Sequence, residues 1–387
     1  MDMKMKLSKT FLSLLLLCML SLSFTGCSKE QADDNSSSGK SDPIYIGTSF
    51  PMSGNIASEG KQIVNAIQLA ADQVNASGGI NGRNVSLKTE DDEGDATTAA
   101  TIANKFSDDS SVLGVIMSYN SSCALSQAPI FNDAGLVSIS PTSENPGLTG
   151  ISDYFYRTCC SNTYSAVIAA DLCQKLGLEK VAIMYQNDDY GQGIYDVFEK
   201  ACKERGITIS SEQSYVQAET VDFSTQLTAI SHTDAQGIFI AGYTTEAGLI
   251  CSQKATYNCD DLTIVGITSV YADEIFDYEN TDGIYSLSGF SLSSKDEKVV
   301  RFISDYKEAY GGTPSAWSAY AYDAAMVMLE SMKTCGDDLN RETLKDAIKT
   351  SSYQGVTGDN TFINGDVEKD FNFYVTKNGK WVDYIPE

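Results

Sequence analysis

Apolar and polar positions along most of this chain switch between two periods. IYIGTSF (44–50) has the composition of a strand. After SGN, the apolar positions Ile63, Ile67, Ala70, Ala71 and Val74 recur at helical spacing until the chain meets Ser77-Gly78-Gly79, a glycine stop. VSLKTED (85–91), a helix over 96–106, VLGVIM (112–117), a helix after Ser121 and LVSIS (136–140) continue the alternation. Strands separated by single helices predict a doubly wound parallel sheet, because parallel neighbours need a crossover between them.

A second series begins near residue 162. It runs through a helix around SAVIAADLCQKLG, the strand KVAIMYQ, the helix GIYDVFEKACKERG, ITISSEQSY, a helix, GIFIAG, a helix, LTIVG and GIYSLSGF. Helical spacing returns at 295–310, 316–334 and 340–349, and FNFYVTKNGKWVDY has the form of a hairpin turning at Asn378-Gly379. Two comparable α/β series predict two lobes rather than one large domain.

The first residues do not fit this pattern. Lys4, Lys6 and Lys9 precede the apolar run FLSLLLLCMLSLSF and then TGC, the order of an export signal. FTGC (24–27) resembles the lipobox of bacterial lipoproteins, which implies cleavage after residue 26 and a lipid on Cys27. An ordinary secretory signal is the alternative. Residues 27–41 are polar and rich in Ser and Asp, and are expected to form a disordered tether between lipid and domain. The expected location is extracytoplasmic and lipid-anchored, at the cell surface or in a periplasm.

Charge and cysteine content narrow the classes. The net charge of −25 becomes about −27 without residues 1–26. Such an acidic chain repels phosphate backbones, so nucleic acid is not an expected partner. Cys123, Cys159, Cys160, Cys173, Cys202, Cys251, Cys259 and Cys335 form no CxxC pair and lie mostly on apolar positions, where a free thiol behaves as a small hydrophobe. Cys251 with Cys259 is the one local pair to test. A single histidine, His232, cannot build a metal cluster, and neither a metal nor a cofactor is expected. Asp91, Asp92, Glu93 and Asp95 lack the spacing of a calcium loop and read as a solvated turn. GxSxG, HExxH and GxxxxGK[ST] are all absent, which argues against a hydrolase.

The stretches PMSGNIASEG, VNASGGINGRNVSLKTEDDEGD, ISPTSENPGLT, YQNDDYGQGIYDVFEKACKERG, VDFSTQLTAI, GYTTEAGLI, AYGGTPSAWSAYAYDAA and GVTGDNTFINGD resemble, in order and spacing, the branched-chain amino acid type of substrate-binding protein that feeds ATP-driven importers. The resemblance covers residues 43–387. It implies an α/β type I periplasmic-binding fold of two lobes, 42–161 with 292–363 and 162–291 with 364–387, each a doubly wound, mostly parallel sheet. It further implies a monomer that closes on a small ligand in the cleft and delivers it to permease subunits. A binding protein that reports its ligand to a signalling receptor shares the fold and is the alternative reading.

Ligands in such sheets sit beyond the carboxyl ends of the strands, where helices begin. Ser121, opening a helix after VLGVIM, is placed to meet a carboxylate. Thr142, with Ser143 beside it, offers backbone carbonyl to an ammonium. Tyr190, Tyr243 and Trp317 supply rings to close over a ligand. By resemblance, the position of Glu144 is commonly a threonine, while an acid follows the strand LTIVG, where this chain has Thr268. Asn162 likewise stands where the family often has aspartate. The two residue types have changed places, so Glu144 is expected to neutralise the ligand's ammonium, with Glu59 near its side chain.

Overall fold

The computed structural model describes residues 42–386. The export signal, Cys27 and the tether lie outside the described residues. One sheet is formed by β1 (Ile44–Phe50), β2 (Val85–Asp91), β3 (Val112–Met117), β4 (Val137–Ser140) and β5 (Phe155–Arg157), in the order β2-β1-β3-β4-β5 and wholly parallel. Its crossovers are α1 (Ala57–Ala76), α2 (Ala96–Asp108) and α3 (Ser121–Asp133).

The chain then passes into α4 (Asn162–Lys175), β6 (Lys180–Gln186), α5 (Asp189–Glu204), β7 (Thr208–Tyr215), α6 (Ser224–Ser231), β8 (Gly237–Ala241), α7 (Thr244–Lys254), β9 (Thr263–Gly266) and β10 (Ile284–Ser288). It returns to the first sheet as α8 (Glu297–Tyr310), α9 (Ala316–Cys335) and α10 (Arg341–Lys349), followed by the small hairpin β11 (Ser352–Gly355) and β12 (Gly358–Thr361). It ends on the second sheet as β13 (Asn372–Thr376) and β14 (Trp381–Tyr384). That sheet runs β14-β13-β10-β9-β8-β6-β7, parallel except for the terminal hairpin, which is antiparallel to β10. Asn378 and Gly379 both take positive φ at its turn, as the sequence predicted.

Strands buried on both faces explain why their sequences run almost continuously apolar. On one face of the first sheet, Val115 and Met117 pack with Ile102 and Phe106 of α2 and Ala124, Ala128 and Phe131 of α3. On the other, Ile46 and Ile116 join Ile63, Ile67 and Ala70 of α1 and Ala324 and Met328 of α9. The buried faces of α1 and α9 are both rich in alanine, which lets the two helices pack closely.

The sequence did not foresee β5, β11 or β12. FYR, SYQG and GDNT are too short and too polar to show a strand period, and pairing to neighbours forms them. The acidic stretch 91–95 also differs from expectation. Asp92 is fully buried, accepting from Ser49 Oγ at 3.0 Å and from the Gly94 amide at 3.0 Å, and desolvation lifts its carboxyl to about 6. Asp95 caps α2 through the Thr98 amide. No cluster of metal-ligating side chains occurs among the described residues, and the eight cysteines from Cys123 to Cys335 are unbonded.

Candidate functional site

The carboxyl ends of both sheets meet, and the side chains just beyond the strands form the contact. Tyr119 follows β3, Thr142 to Glu144 follow β4, Tyr190 follows β6, Tyr243 follows β8 and Thr268 follows β9. Two glycines bring the tyrosines of the second sheet into place. A Cβ on Gly191 would lie 2.0 Å from the Gln186 carbonyl oxygen, so only glycine lets α5 begin so close to the end of β6. A Cβ on Gly242 would lie 1.6 Å from the Tyr215 hydroxyl, so the chain leaving β8 passes directly over the end of that side chain.

These constraints produce a column of three rings. Tyr190 and Tyr243 stack with centroids 4.9 Å apart, and Tyr243 stacks at 5.2 Å on Tyr119 from the opposite sheet. Tyr119 was not singled out in the sequence; it sits in a polar turn and carries no periodic signal.

At its Tyr190 end the column meets a group of buried polar side chains, which forms the inner chamber of the site. Glu144 is 1% exposed, and its Oε2 accepts a 3.2 Å hydrogen bond from the Tyr190 hydroxyl. Desolvation pushes its carboxyl to about 8, against the opposing pull of Tyr190 and the positive charge of Arg157. The Glu144 carbonyl accepts from the Asn162 amide at 2.8 Å, tying the turn after β4 to the start of α4. Ser121 and Asn162 are buried, and Ser121 Oγ and Asn162 Nδ2 have no hydrogen-bond partner.

Thr142 and Ser143 are buried here too, but their hydroxyls are engaged. Thr142 Oγ1 donates to the Ser118 carbonyl at 2.6 Å and Ser143 Oγ to the same oxygen at 3.1 Å. Their side chains therefore hold the turn against the end of β3.

The turn is fastened from below by Arg157, which is fully buried. Its guanidinium donates to Asp366 Oδ1 and Oδ2 at 2.6 and 3.0 Å, to Thr149 Oγ1 at 2.7 Å, and to the Ser143 and Asn145 carbonyls at 3.2 and 2.9 Å. The Arg157 amide also donates to the Gly365 carbonyl at 2.9 Å. The chain entering α4 and the chain returning to β13 are thus joined beside Glu144.

On the other side of the column is a cavity of about 300 Å³, lined by Glu59, Tyr119, Tyr243, Thr268, Glu274 and Trp317 among others. Thr268 is 2% exposed and its Oγ1 has no partner; Glu59 Oε2 is also buried and unpaired. Polar contacts close the gap between the two halves: Gln62 Nε2 donates to Glu274 Oε1 at 3.2 Å, Asn120 Nδ2 to Gln217 Oε1 at 3.2 Å, and Asn55 Nδ2 to the Ala218 carbonyl at 3.3 Å.

The candidate residues thus separate into two groups meeting at Tyr243. Ser121, Glu144, Asn162 and Tyr190 lie within, while Glu59, Tyr243, Thr268 and Trp317 line the cavity. Gln62, Arg157, Gln217 and Glu274 were not foreseen. Each depends on a partner distant in sequence.

Two sheets meeting at their carboxyl ends over a polar gap form a bilobed solute-binding architecture, and comparison with known proteins agrees. The chain belongs to the periplasmic binding protein family, whose pattern it matches over residues 43–380. Within that family it is of the branched-chain amino acid type of ABC transporter substrate-binding protein, with the two-lobed type I fold. It is 26% identical over 327 residues to Leu/Ile/Val-binding protein homolog 1 of Brucella abortus (strain 2308), covering 82% of this chain and 85% of that protein.

Its structure is similar to the branched-chain amino acid transporter substrate-binding protein LivJ from Streptococcus pneumoniae in complex with isoleucine, with a TM-score of 0.80 at 28% identity, over 88% of this chain and 100% of that one. The leucine-binding protein LivK from Thermotoga maritima is matched with a TM-score of 0.80 at 26% identity, over 88% of this chain and 98% of that one. The family is one of binding proteins, so the chain is a solute-binding protein and not an enzyme.

Proposed function

We propose that the chain captures a small amino-group ligand, an amino acid or a related amine, between two lobes outside the cytoplasm and delivers it to the permease of an ATP-driven importer. The lobes are 42–161 with 292–363 and 162–291 with 364–387. The observation that carries this reading is the inner chamber at the Tyr190 end of the tyrosine column. Buried polar atoms are nearly always paired, yet Ser121 Oγ and Asn162 Nδ2 are unpaired, and the buried carboxyl of Glu144, whose backbone carbonyl binds the Asn162 backbone amide, has one protein hydrogen bond. A hydroxyl at a helix start suits a carboxylate and a buried acid suits an ammonium. The relatives named for leucine, isoleucine and valine support an α-amino acid frame, and the acid at Glu144, in place of one after β9, makes the ammonium contact particular to this chain.

The test is thermal denaturation of the full chain, purified in detergent, against amino acids, amides, amines and carboxylates without an amino group. A ligand at 100 times its dissociation constant adds about 2.7 kcal/mol. Stabilisation confined to compounds lacking an amino group overturns the reading. Anchoring through Cys27 belongs to the same proposal: Cys27→Ala releases the protein from membranes or leaves the signal uncleaved. The protein works as a monomer, which sedimentation checks.

A further inference from the structure

The cavity beyond the tyrosine column has a one-sided charge. Glu59, Glu274 and Asp277 stand in its wall, and the wall contains no lysine, arginine or histidine. None of the three forms an ion pair among the described residues. Lys307 on α8 acts on Asp273, which lies outside the wall. The rings of Tyr119, Tyr243, Tyr271, Tyr278 and Trp317 share the wall with the acids.

Two further details point to a missing partner. Thr268 Oγ1 is unpaired although its residue is 2% exposed, and Glu59 Oε2 is buried without a hydrogen bond. Burial pushes the Glu59 carboxyl up, and the charge of Glu274 adds to that.

A branched aliphatic side chain placed here would leave the buried, unpaired oxygen of Glu59 without a partner and lie against the exposed carboxylates of Glu274 and Asp277 with nothing to offer them, which is unfavourable for charged groups. A cation reverses the balance. It pairs with the acids, and ring faces attract it within about 6 Å of their centroids.

We infer that this cavity takes the positively charged distal end of the ligand, an ammonium or guanidinium group, so that the preferred solute is a basic amino acid or a diamine rather than a neutral aliphatic amino acid. Glu59 and Glu274 are the specificity-determining residues, and Tyr243 divides the cationic end from the end held at Glu144. The inference rests on the proposed binding of an amino-group ligand.

The test is calorimetric titration of the full chain in detergent with leucine, glutamine, lysine, arginine, 1,4-diaminobutane and benzoate. At least one of lysine, arginine or diaminobutane binds 30-fold or more tightly than leucine, and added salt weakens it. Glu274→Gln and Glu59→Gln each reduce that affinity tenfold or more, leave leucine unchanged or improved, and preserve the melting of the empty protein. The basic amino acids require Ser121 for their carboxylate, so Ser121→Ala separates them from the diamine, which is unaffected. Leucine or glutamine binding as tightly as the best cation overturns the inference while leaving the amino-ligand reading intact. Binding of benzoate alone removes both, and cation binding insensitive to both glutamine variants overturns the assignment to this cavity.

Discussion

The two chambers on either side of Tyr243 are built by different means. The inner one is made of residues at strand ends and helix starts, locked by neighbouring backbone: Ser121 opens α3, Asn162 opens α4, and Glu144 sits on a turn held by Ser118 and Arg157. The outer one draws on the first turns of α1, the short turns after β9 and the start of α9, whose side chains meet only because the two halves face each other. The inner chamber has one acid, buried and bonded; the outer has three, without a counter-charge. Such a division suits a fixed grip on the part every ligand shares and an adjustable grip on the part that differs.

The largest contrast should appear when the support of each chamber is removed. Arg157→Ala deletes a fully buried guanidinium, takes the counter-charge from Asp366 and removes its hydrogen bonds to the Ser143 and Asn145 carbonyls; breaking such a pair costs about 3–5 kcal/mol. Chemical denaturation should register that loss. Gln62→Ala, which removes one exposed contact to Glu274, should stay within about 0.5 kcal/mol of the parent. Similar losses in both variants would mean that the inner chamber is no more rigid than the outer.

Glu144→Gln comes next. Removing one member of a desolvated charge pair costs on the order of 2–5 kcal/mol, so affinity for an amine should fall roughly 30-fold or more. The empty protein should keep its fold, since the amide retains a partner for Tyr190. The double change Glu144→Thr with Thr268→Glu should regain part of the loss.

The two chambers also differed in how legible they were. The sheet framework was readable because strand and helix periods are local, and the inner residues followed from it: once VLGVIM, LVSIS, KVAIMYQ and GIFIAG are strands, the side chains after them belong to the cleft. Tyr119 escaped because the turn SYNSS has no period. Arg157 is paired with Asp366, Asn120 with Gln217 and Gln62 with Glu274, partners too distant for any local pattern to join. Glu144 was singled out from the sequence, but that its carboxyl is fully buried followed only from the packing around it.

Burial of Glu144 gives a smaller effect, one of pH. Its carboxyl is raised from 4.5 to about 8 in the folded protein, so the native state holds a proton that the unfolded state has lost between these values. The resulting stability is full below pH 4.5 and disappears as pH rises through about 8. The melting temperature of the wild type minus that of Glu144→Gln should therefore fall between pH 5 and 8, which cancels contributions from Asp92 and the outer acids. A ligand ammonium reverses the shift, so binding below pH 8 should expel a proton. Affinity should then rise with pH by up to about tenfold per unit, and the calorimetric enthalpy should vary with the buffer.

The smallest predicted effect concerns how the gap is held shut. Asn120 Nδ2 and Gln186 Nε2 both donate to Gln217 Oε1 at 3.2 Å, one from each side of the interface, and Asn120 Oδ1 is left buried without a donor. Gln217 therefore links the turn that carries Tyr119 to the strand that leads to Tyr190, without touching either chamber's carboxylates. Gln217→Ala removes two neutral hydrogen bonds, each worth about 0.5–1.5 kcal/mol, and part of that loss is recovered when water enters the gap. Ligand affinity should drop two- to tenfold, mainly through faster release, because the contact forms as the halves come together. A double-mutant cycle with Asn120→Ala should give a coupling of at least about 0.5 kcal/mol. Additive losses would mean that the two side chains act independently and that this contact does not help to hold the halves together.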